Sequence, residues 1–443
     1  MTDERQPDGS PIWDETLSRR QILKLGGSLA LGSMMMPLIP DLAESTGSAF
    51  AATRETAKLS GSLTIWTYFD QVNLAATQFM KKYPNVHVNV KVFPGDYETK
   101  MRLALQTQTS PPDIFDLDVN YIGKYIDGPF PENLSKMGAT ALLKDYVPYV
   151  RALAKDKNGA VRAVCDTSSP GGYWYRRDVA KQYLGKGDVK SVSAMVDTFP
   201  NLIKNGKKVV QESGGKVHLL ASYDDVIMDA RHQMKPWVYK GKFYIDPRWN
   251  HVLDVARTIY NDNLDAKLGA FSPAWGAAWN DGSAITFGWP SWASFEIDPK
   301  KTGNNWGVAQ SPTPYYEGGR YSAIYQGSSN KKLAYEYLKF LASPAWQIYN
   351  LNKTQNMPAL QSVFKKLAKS YKPALFGNQP IIETYYSIAM HIPPFRSNQY
   401  YEDVHGLIYG VISDAFKAHQ SNAEIFATFK KQVQQKFPEV PMS

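Results

Sequence analysis

The chain has 443 residues, more than one hydrophobic core serves, which points to two domains. Apolar residues make up 43% and charged residues 21%, a balance that excludes a mostly disordered chain. The net charge is +9, but basic residues run no longer than pairs such as Lys331-Lys332, Lys365-Lys366 and Lys430-Lys431; these read as solvated helix faces, and no nucleic-acid partner is expected.

In chain order, Ser18-Arg19-Arg20-Gln21-Ile22-Leu23-Lys24 resembles the twin-arginine export signal S-R-R-x-F-L-K. The apolar stretch 25–40 that follows is diluted by Gly26, Gly27, Gly32 and Ser33, whereas a spanning helix needs about 20 mostly apolar residues. Ala49-Phe50-Ala51 then supplies small residues for cleavage, so residues 1–51 are expected to be a twin-arginine signal peptide and the protein to be exported, to the periplasm or the outer face of the cell membrane. Residues 61–68 read as a strand, with Leu63, Ile65 and Thr67 alternating with Thr64, Trp66 and Tyr68. A helix follows, carrying Leu74, Ala75, Gln78 and Phe79 and closing at Lys81-Lys82-Tyr83-Pro84, where basic residues meet the negative end of the dipole. Val86, Val88, Val90 and Val92 alternate as a second strand. Asp96 is expected to cap a helix striped with Tyr97, Met101, Ala104 and Leu105, which Pro111-Pro112 ends before a third strand at 113–117.

Strands alternating with helices in this way predict a doubly wound α/β sheet, in which ligands sit beyond the carboxyl ends of the strands. That rule selects Trp66, Tyr68 and Asp70 after the first strand and Asp116, Asp118 and Asn120 after the third. Thr167-Ser168-Ser169-Pro170-Gly171-Gly172 reads as a turn-rich break and the first inter-domain crossing; Ser311-Pro312-Thr313-Pro314 marks the second. Helices are predicted at 197–210, 250–261 and 330–342. Trp174 and Tyr175 read as buried strand residues. The single Cys165 excludes an intramolecular disulfide, and seven scattered histidines offer no ligand pair, so no metal and no cofactor is expected.

Several segments, in order, resemble the family 1 extracellular solute-binding proteins of ABC importers, the maltose-binding-protein-like group. They are 63–70 (LTIWTYFD), 97–115 (YETKMRLALQTQTSPPDIF), 173–185 (YWYRRDVAKQYLG), 280–292 (NDGSAITFGWPSW), 306–312 (WGVAQSP) and 328–344 (SSNKKLAYEYLKFLASP). The family's T-W-D-E-F segment survives only as Asp197-Thr198-Phe199, and its G-x-x-P turn only as Asn356-Met357-Pro358. The resemblance implies a two-lobed periplasmic-binding-protein fold of α/β class, with discontinuous lobes and an interlobe ligand cleft. The N-terminal lobe would take 58–164 plus 313–367 and the C-terminal lobe 165–312 plus 368–443. It also implies a non-enzymatic, monomeric substrate-binding subunit that captures a carbohydrate by hinge closure and delivers it to ABC permease and ATPase subunits.

A pyranose presents two C–H faces and a rim of hydroxyls, so its site needs aromatic plates and planar polar side chains. Trp66, Tyr68, Trp289 and Trp292 are the candidate plates, the last two where the resemblance places a C-lobe ligand tryptophan. Asp70 and Asp118 are the candidate acceptors, Trp275 and Trp279 a further wall, and Gln326, Gly327 and Ser328 an approach from the first lobe. Two alternatives stay open. Arg176, Arg177, Arg231 and Arg396 could serve an anionic solute such as a glycerol phosphodiester. A secreted glycoside hydrolase would need a carboxylate pair, nominally from Asp113, Asp116 and Asp118 or from Asp224 and Asp225, but neither G-x-S-x-G nor H-E-x-x-H occurs.

Overall fold

Apolar side chains on one face, Leu63 and Ile65, alternate with Thr64 and Trp66 to form β1 (Gly61–Thr67), which pairs in parallel with β2 (Val86–Val92) along its whole length. Its other edge meets β3 (Ile114–Asp118), with Ile65 opposite Ile114 and Trp66 opposite Phe115. Parallel pairing requires crossovers, and these are the helices Val72–Lys82 and Tyr97–Thr107. The first buries Val72, Ala75, Ala76 and Phe79, and the second Tyr97, Met101, Ala104 and Leu105, the stripes expected from the spacing. Asp96 does not cap the second helix: its φ is 45° and its side chain makes no capping bond, so Gly95 and Asp96 form a left-handed turn instead.

This computed structural model describes residues 59–394 and 397–442; the expected signal at 1–51 and Arg396 lie outside the described residues. The described chain forms two compact units. One runs through Asp116 and includes Gly327–Ala334; the other holds Leu117–Gln326 and the chain from Tyr335 on. In the first, Asp113 lies just before β3, where its carboxylate accepts from Thr64 N–H at 2.9 Å, Ser328 Oγ at 2.6 Å and Asn330 Nδ2 at 3.1 Å. These bonds occupy both oxygens. Asp113 is therefore a fastening of the sheet, and Ser328, expected to approach a ligand, is held by the same carboxylate.

In the second unit, β4 (Gly171–Arg176) lies between β8 (Ala284–Pro290) and β9 (Trp306–Ala309), antiparallel to both, while β5 (His218–Leu220) pairs in parallel with β8. Strands β4, β8 and β9 are buried throughout, consistent with their continuous apolar and aromatic runs. Val238–Tyr239 (β6) and Lys242–Phe243 (β7) form a short hairpin. The helices Phe199–Ser213, Asp224–Arg231, Trp249–Asn261, Tyr401–Lys417 and Asn422–Lys436 contribute Leu202, Val226, Ile259, Ile412 and Phe429 to one core with Tyr173. Thr198, from the remnant of the family segment, caps the first of these by accepting from Asn201 N–H.

The turn-rich break expected at 167–172 is shorter than its composition suggests. Gly171 and Gly172 already belong to β4, and a Cβ on Gly171 would lie 2.1 Å from the Tyr315 ring, so glycine here serves close packing. The chain around this break runs antiparallel to the region near the second crossing, with Pro170 bridged to Tyr316 and Val164 to Ser322 in β10 (Arg320–Ile324). A buried ion pair, Arg320 to Asp166 at 2.8 Å, fastens the two, and Trp346 Nε1 donates to the same carboxylate.

Helix Asp224–Arg231 carries two carboxyls into the core beside a third from the loop at Asp265. Burial pushes Asp225 up to about 8 and Asp265 up to about 6, and holds Asp229 well above the carboxylate range. Asp225 accepts from Gly288 N–H at 3.1 Å, and Asp229 from Tyr173 Oη at 2.7 Å. A carboxyl that binds its proton more tightly in the folded chain stabilises most below its unfolded pKa, and that contribution is lost as pH rises through the folded value. The unfolding free energy from denaturant melts should therefore fall as pH rises from about 4 to about 8, by up to about 1.4 kcal/mol per pH unit for each group between its unfolded and folded values. Asp225→Asn should flatten the profile; an equally steep one would show that Asp225 does not contribute.

Candidate functional site

The first unit brings Trp66, Tyr68 and Asp70 to the carboxyl end of β1. Trp66 is nearly buried, with Phe93 4.8 Å from its ring and Lys91 Nζ at 5.9 Å. Tyr68 is half-buried against Tyr97 at 5.5 Å, and Asp70 is exposed. Tyr97 ties the ends of β1 and β3 together: its Oη lies 2.9 Å from Trp66 O and 2.8 Å from Asp116 O, and accepts from Asp116 N–H. These residues occupy the strand-end position that the sheet rule selects.

The second unit orders its aromatics into a graded row. Ser272 caps helix Pro273–Asp281, Pro273 stands at its first turn, and the helix lays Trp275 and Trp279 inward. Trp279 stacks on Phe287 at 4.1 Å and meets Trp306 and Trp174 at 5.3 and 5.8 Å. At 0% and 1% exposure, Trp279 and Trp275 are core residues, which corrects their expected place as a wall of the site. Trp275 touches Trp289 at 5.1 Å, Trp289 touches Trp292 at 5.8 Å, and Trp292 lies parallel to Phe295 at 5.9 Å with 3° between the planes. Accessibility grows along the row: Trp289 is 4% exposed, Trp292 half-buried and Phe295 44% exposed. Phe271 flanks Trp289 at 5.1 Å with a φ of 64°, a conformation bulky residues seldom adopt.

Trp292 is held in place by its indole N–H, which donates to Glu317 O at 3.0 Å. The backbone of Glu317 is itself pinned, its N–H donating to Ser169 O. Its carboxylate accepts from Arg231 Nη2 at 2.7 Å, and Glu402, on helix Tyr401–Lys417, lies 3.4 Å from Arg231 Nη1. The Arg231 side chain is 5% exposed and each glutamate side chain 18%. Burial raises the Glu402 carboxyl, Arg231 opposes that rise, and the charges of Glu317 and Asp118 reinforce it. Asp118 is nearly buried and accepts from Asn120 N–H at 2.9 Å. Burial and the Arg231 charge hold the His232 and His405 imidazoles neutral. His232 lies against Tyr316 at 3.9 Å, and Trp237 Nε1 donates to His405 Nδ1. Gln326 is exposed, on the chain after β10, and its N–H donates to Phe130 O.

Asp118, Trp289 and Trp292 thus sit among groups that sequence reasoning did not select: Glu317, Glu402, Phe271 and Phe295. Glu317 had a signal in Tyr315-Tyr316-Glu317-Gly318-Gly319, an acid between aromatic and glycine pairs beside the second crossing. Glu402 had none, being one acid among several on a C-terminal helix. Among the described residues no group of His, Cys, Asp or Glu is arranged to hold a metal ion.

The model of the family described as bacterial extracellular solute-binding protein matches residues 64–348. The chain is 23% identical to the melibiose/raffinose/stachyose-binding protein MelE of Bacillus subtilis (strain 168), over 71% of this chain and 76% of that protein. The sugar-binding protein MalE from Xanthomonas citri superposes with a TM-score of 0.72 at 15% identity, covering 85% of this chain and 97% of that one. The ABC transporter associated binding protein from B. animalis subsp. lactis Bl-04, solved with beta-1,6-galactobiose, gives 0.68 at 16% identity, covering 87% and 100%. These likenesses establish the two-lobed periplasmic-binding-protein fold expected from the sequence, a fold of substrate-binding proteins and not of enzymes. Among the described residues no helix is long and apolar enough to cross a membrane. With more than half of its length matched to the family model, the chain belongs to the bacterial extracellular solute-binding proteins.

Proposed function

We propose that this chain is the extracytoplasmic substrate-binding subunit of an ABC importer, exported by the twin-arginine route, and that it captures a mono- or oligosaccharide by hinge closure. The observation that carries this reading is Trp292: a half-buried ring at the open end of a row of aromatics, hydrogen-bonded to the backbone of Glu317, whose carboxylate and that of Glu402 are partly accessible. An indole face suits the C–H face of a pyranose, and carboxylates suit its hydroxyl rim. Phe295 extends the apolar surface in parallel with Trp292. Asp118 is proposed as a further acceptor and Trp289 as the support that orients Trp292. Trp66, Tyr68, Asp70 and Gln326 are proposed as ligand contacts from their sequence positions. The lobe boundaries near 164, 312 and 367 are proposed from the resemblance, and the antiparallel pairing around Pro170 and Tyr316 supports the first two.

Two of the carboxylates nominally available for hydrolysis are taken up within the fold. Asp113 is occupied by Thr64, Ser328 and Asn330, and Asp225 lies in the core against Gly288. The test is a thermal-shift screen of the purified protein with melibiose, raffinose, stachyose, maltose and beta-1,6-galactobiose, extended to a wider glycan panel. A sugar that binds only the folded state at about 100 times its Kd should add roughly 2.7 kcal/mol of stability. No shift with any carbohydrate would sink the reading, and release of shortened sugars on incubation would replace it with a hydrolase.

A further inference from the structure

We infer that the solute taken at this site is neutral or cationic, and that Glu317 and Glu402, by occupying Arg231 and outnumbering it, set the discrimination against anions. The inference rests on the carbohydrate reading above and adds to it the charge class of the ligand. Arg231 was the natural candidate for an anion, being a cation brought to the site by helix Asp224–Arg231. Its guanidinium is not available for that purpose. Nη2 lies 2.7 Å from Glu317 and Nη1 3.4 Å from Glu402; Nε lacks a hydrogen-bond partner but is buried, and the side chain is only 5% exposed. The carboxylates are the more accessible members, so an arriving solute meets acceptors before it meets a donor.

Among the described residues, the surrounding groups do not reverse this sign. Burial, with the charges of Glu317 and Asp118, pushes the Glu402 carboxyl up to about 7, so above that pH three carboxylates face the one guanidinium. The imidazoles of His232 and His405 are held neutral by burial and by Arg231 itself. Lys124 is bonded to Asp403, at 3.2 Å. Neither of the two candidates beside β4 supplies a free cation. Arg176 forms a two-pronged pair with Asp178, and Arg177 donates to Trp306 O, Gly187 O, Phe376 O and Gln379. A carboxylate or phosphate on the solute would be desolvated next to like charge, whereas hydroxyls or an ammonium would find acceptors.

Calorimetry at pH 8, where Glu402 is ionised, on the protein without residues 1–51 tests this with three forms of one sugar: melibiose, its C6 uronate, and its 6-amino-6-deoxy counterpart. The same triple is run for maltose, with glycerol 3-phosphate as a non-sugar anion. The neutral and amino forms should bind within about tenfold of each other and the uronate roughly 30-fold or more weakly. In the Glu317→Gln, Glu402→Gln double variant, where the amides still accept from Arg231, the gap should shrink to under about fivefold. A uronate or glycerol 3-phosphate that binds the wild-type protein as tightly as the neutral sugar overturns the inference whether or not the double variant folds. That result would leave the carbohydrate reading intact. Absence of binding by every form in both series and by the wider glycan panel would instead defeat the carbohydrate reading.

Discussion

Arg231→Met should lower the free energy of unfolding by about 3–5 kcal/mol, because it leaves two partly buried carboxylates without their shared cation. Glu317 and Glu402 both lie within 4 Å of the guanidinium, at 2.7 and 3.4 Å, and the Arg231 side chain is 5% exposed. Such a pair contributes little over a well-packed apolar replacement, but removing one partner alone exposes the full desolvation cost of the others. The triple variant Arg231→Met, Glu317→Gln, Glu402→Gln should therefore recover most of the loss. Urea melts of the two variants against wild type measure this. A single variant that melts with wild type, or a triple variant no better than the single, would show that the carboxylates are not held by Arg231 in solution.

Trp292→Ala should weaken binding of the best carbohydrate found in the screen by roughly 30- to 150-fold, equivalent to about 2–3 kcal/mol, with a much smaller effect on the melt. The ring is half-buried and meets Trp289 and Phe295, so its removal takes away contact surface at the edge of the fold. Trp292→Phe keeps an aromatic face and loses the bond to Glu317 O, so it should cost less than the alanine variant. Trp279→Ala should behave in the opposite way. That ring is fully buried on Phe287, and its loss should cost about 3–5 kcal/mol of stability. Calorimetry and denaturant melts on the three variants separate the roles; equal loss of affinity in Trp279→Ala and Trp292→Ala, at matched folding, would contradict the assignment.

The alternation in 61–67 and 86–92 and the stripe of Tyr97, Met101, Ala104 and Leu105 were enough to place β1, β2 and the helix after them, because each element buries one face and period alone identifies it. Position after a strand also drew attention to Tyr68 and Asp118. The same reasoning misplaced Trp279 and Trp275. A tryptophan on a helix beside a ligand segment has the same local signature whether it faces solvent or the β8 core, and only packing on Phe287 and Trp306 distinguishes them. Asp113 and Arg231 show the same limit for charge. As letters they are a free acid and a free base; in the fold the first is satisfied by Thr64, Ser328 and Asn330 and the second by Glu317 and Glu402.

Local periodicity and the order of family-like segments thus determined the α/β class and the binding-protein family, since both are written in short stretches of chain. What those polar side chains are able to bind was decided by partners 86 and 171 positions away from Arg231. A buried charge takes its chemical meaning from whatever shares its low-dielectric surroundings, and chain closure, not sequence neighbourhood, brings those groups together.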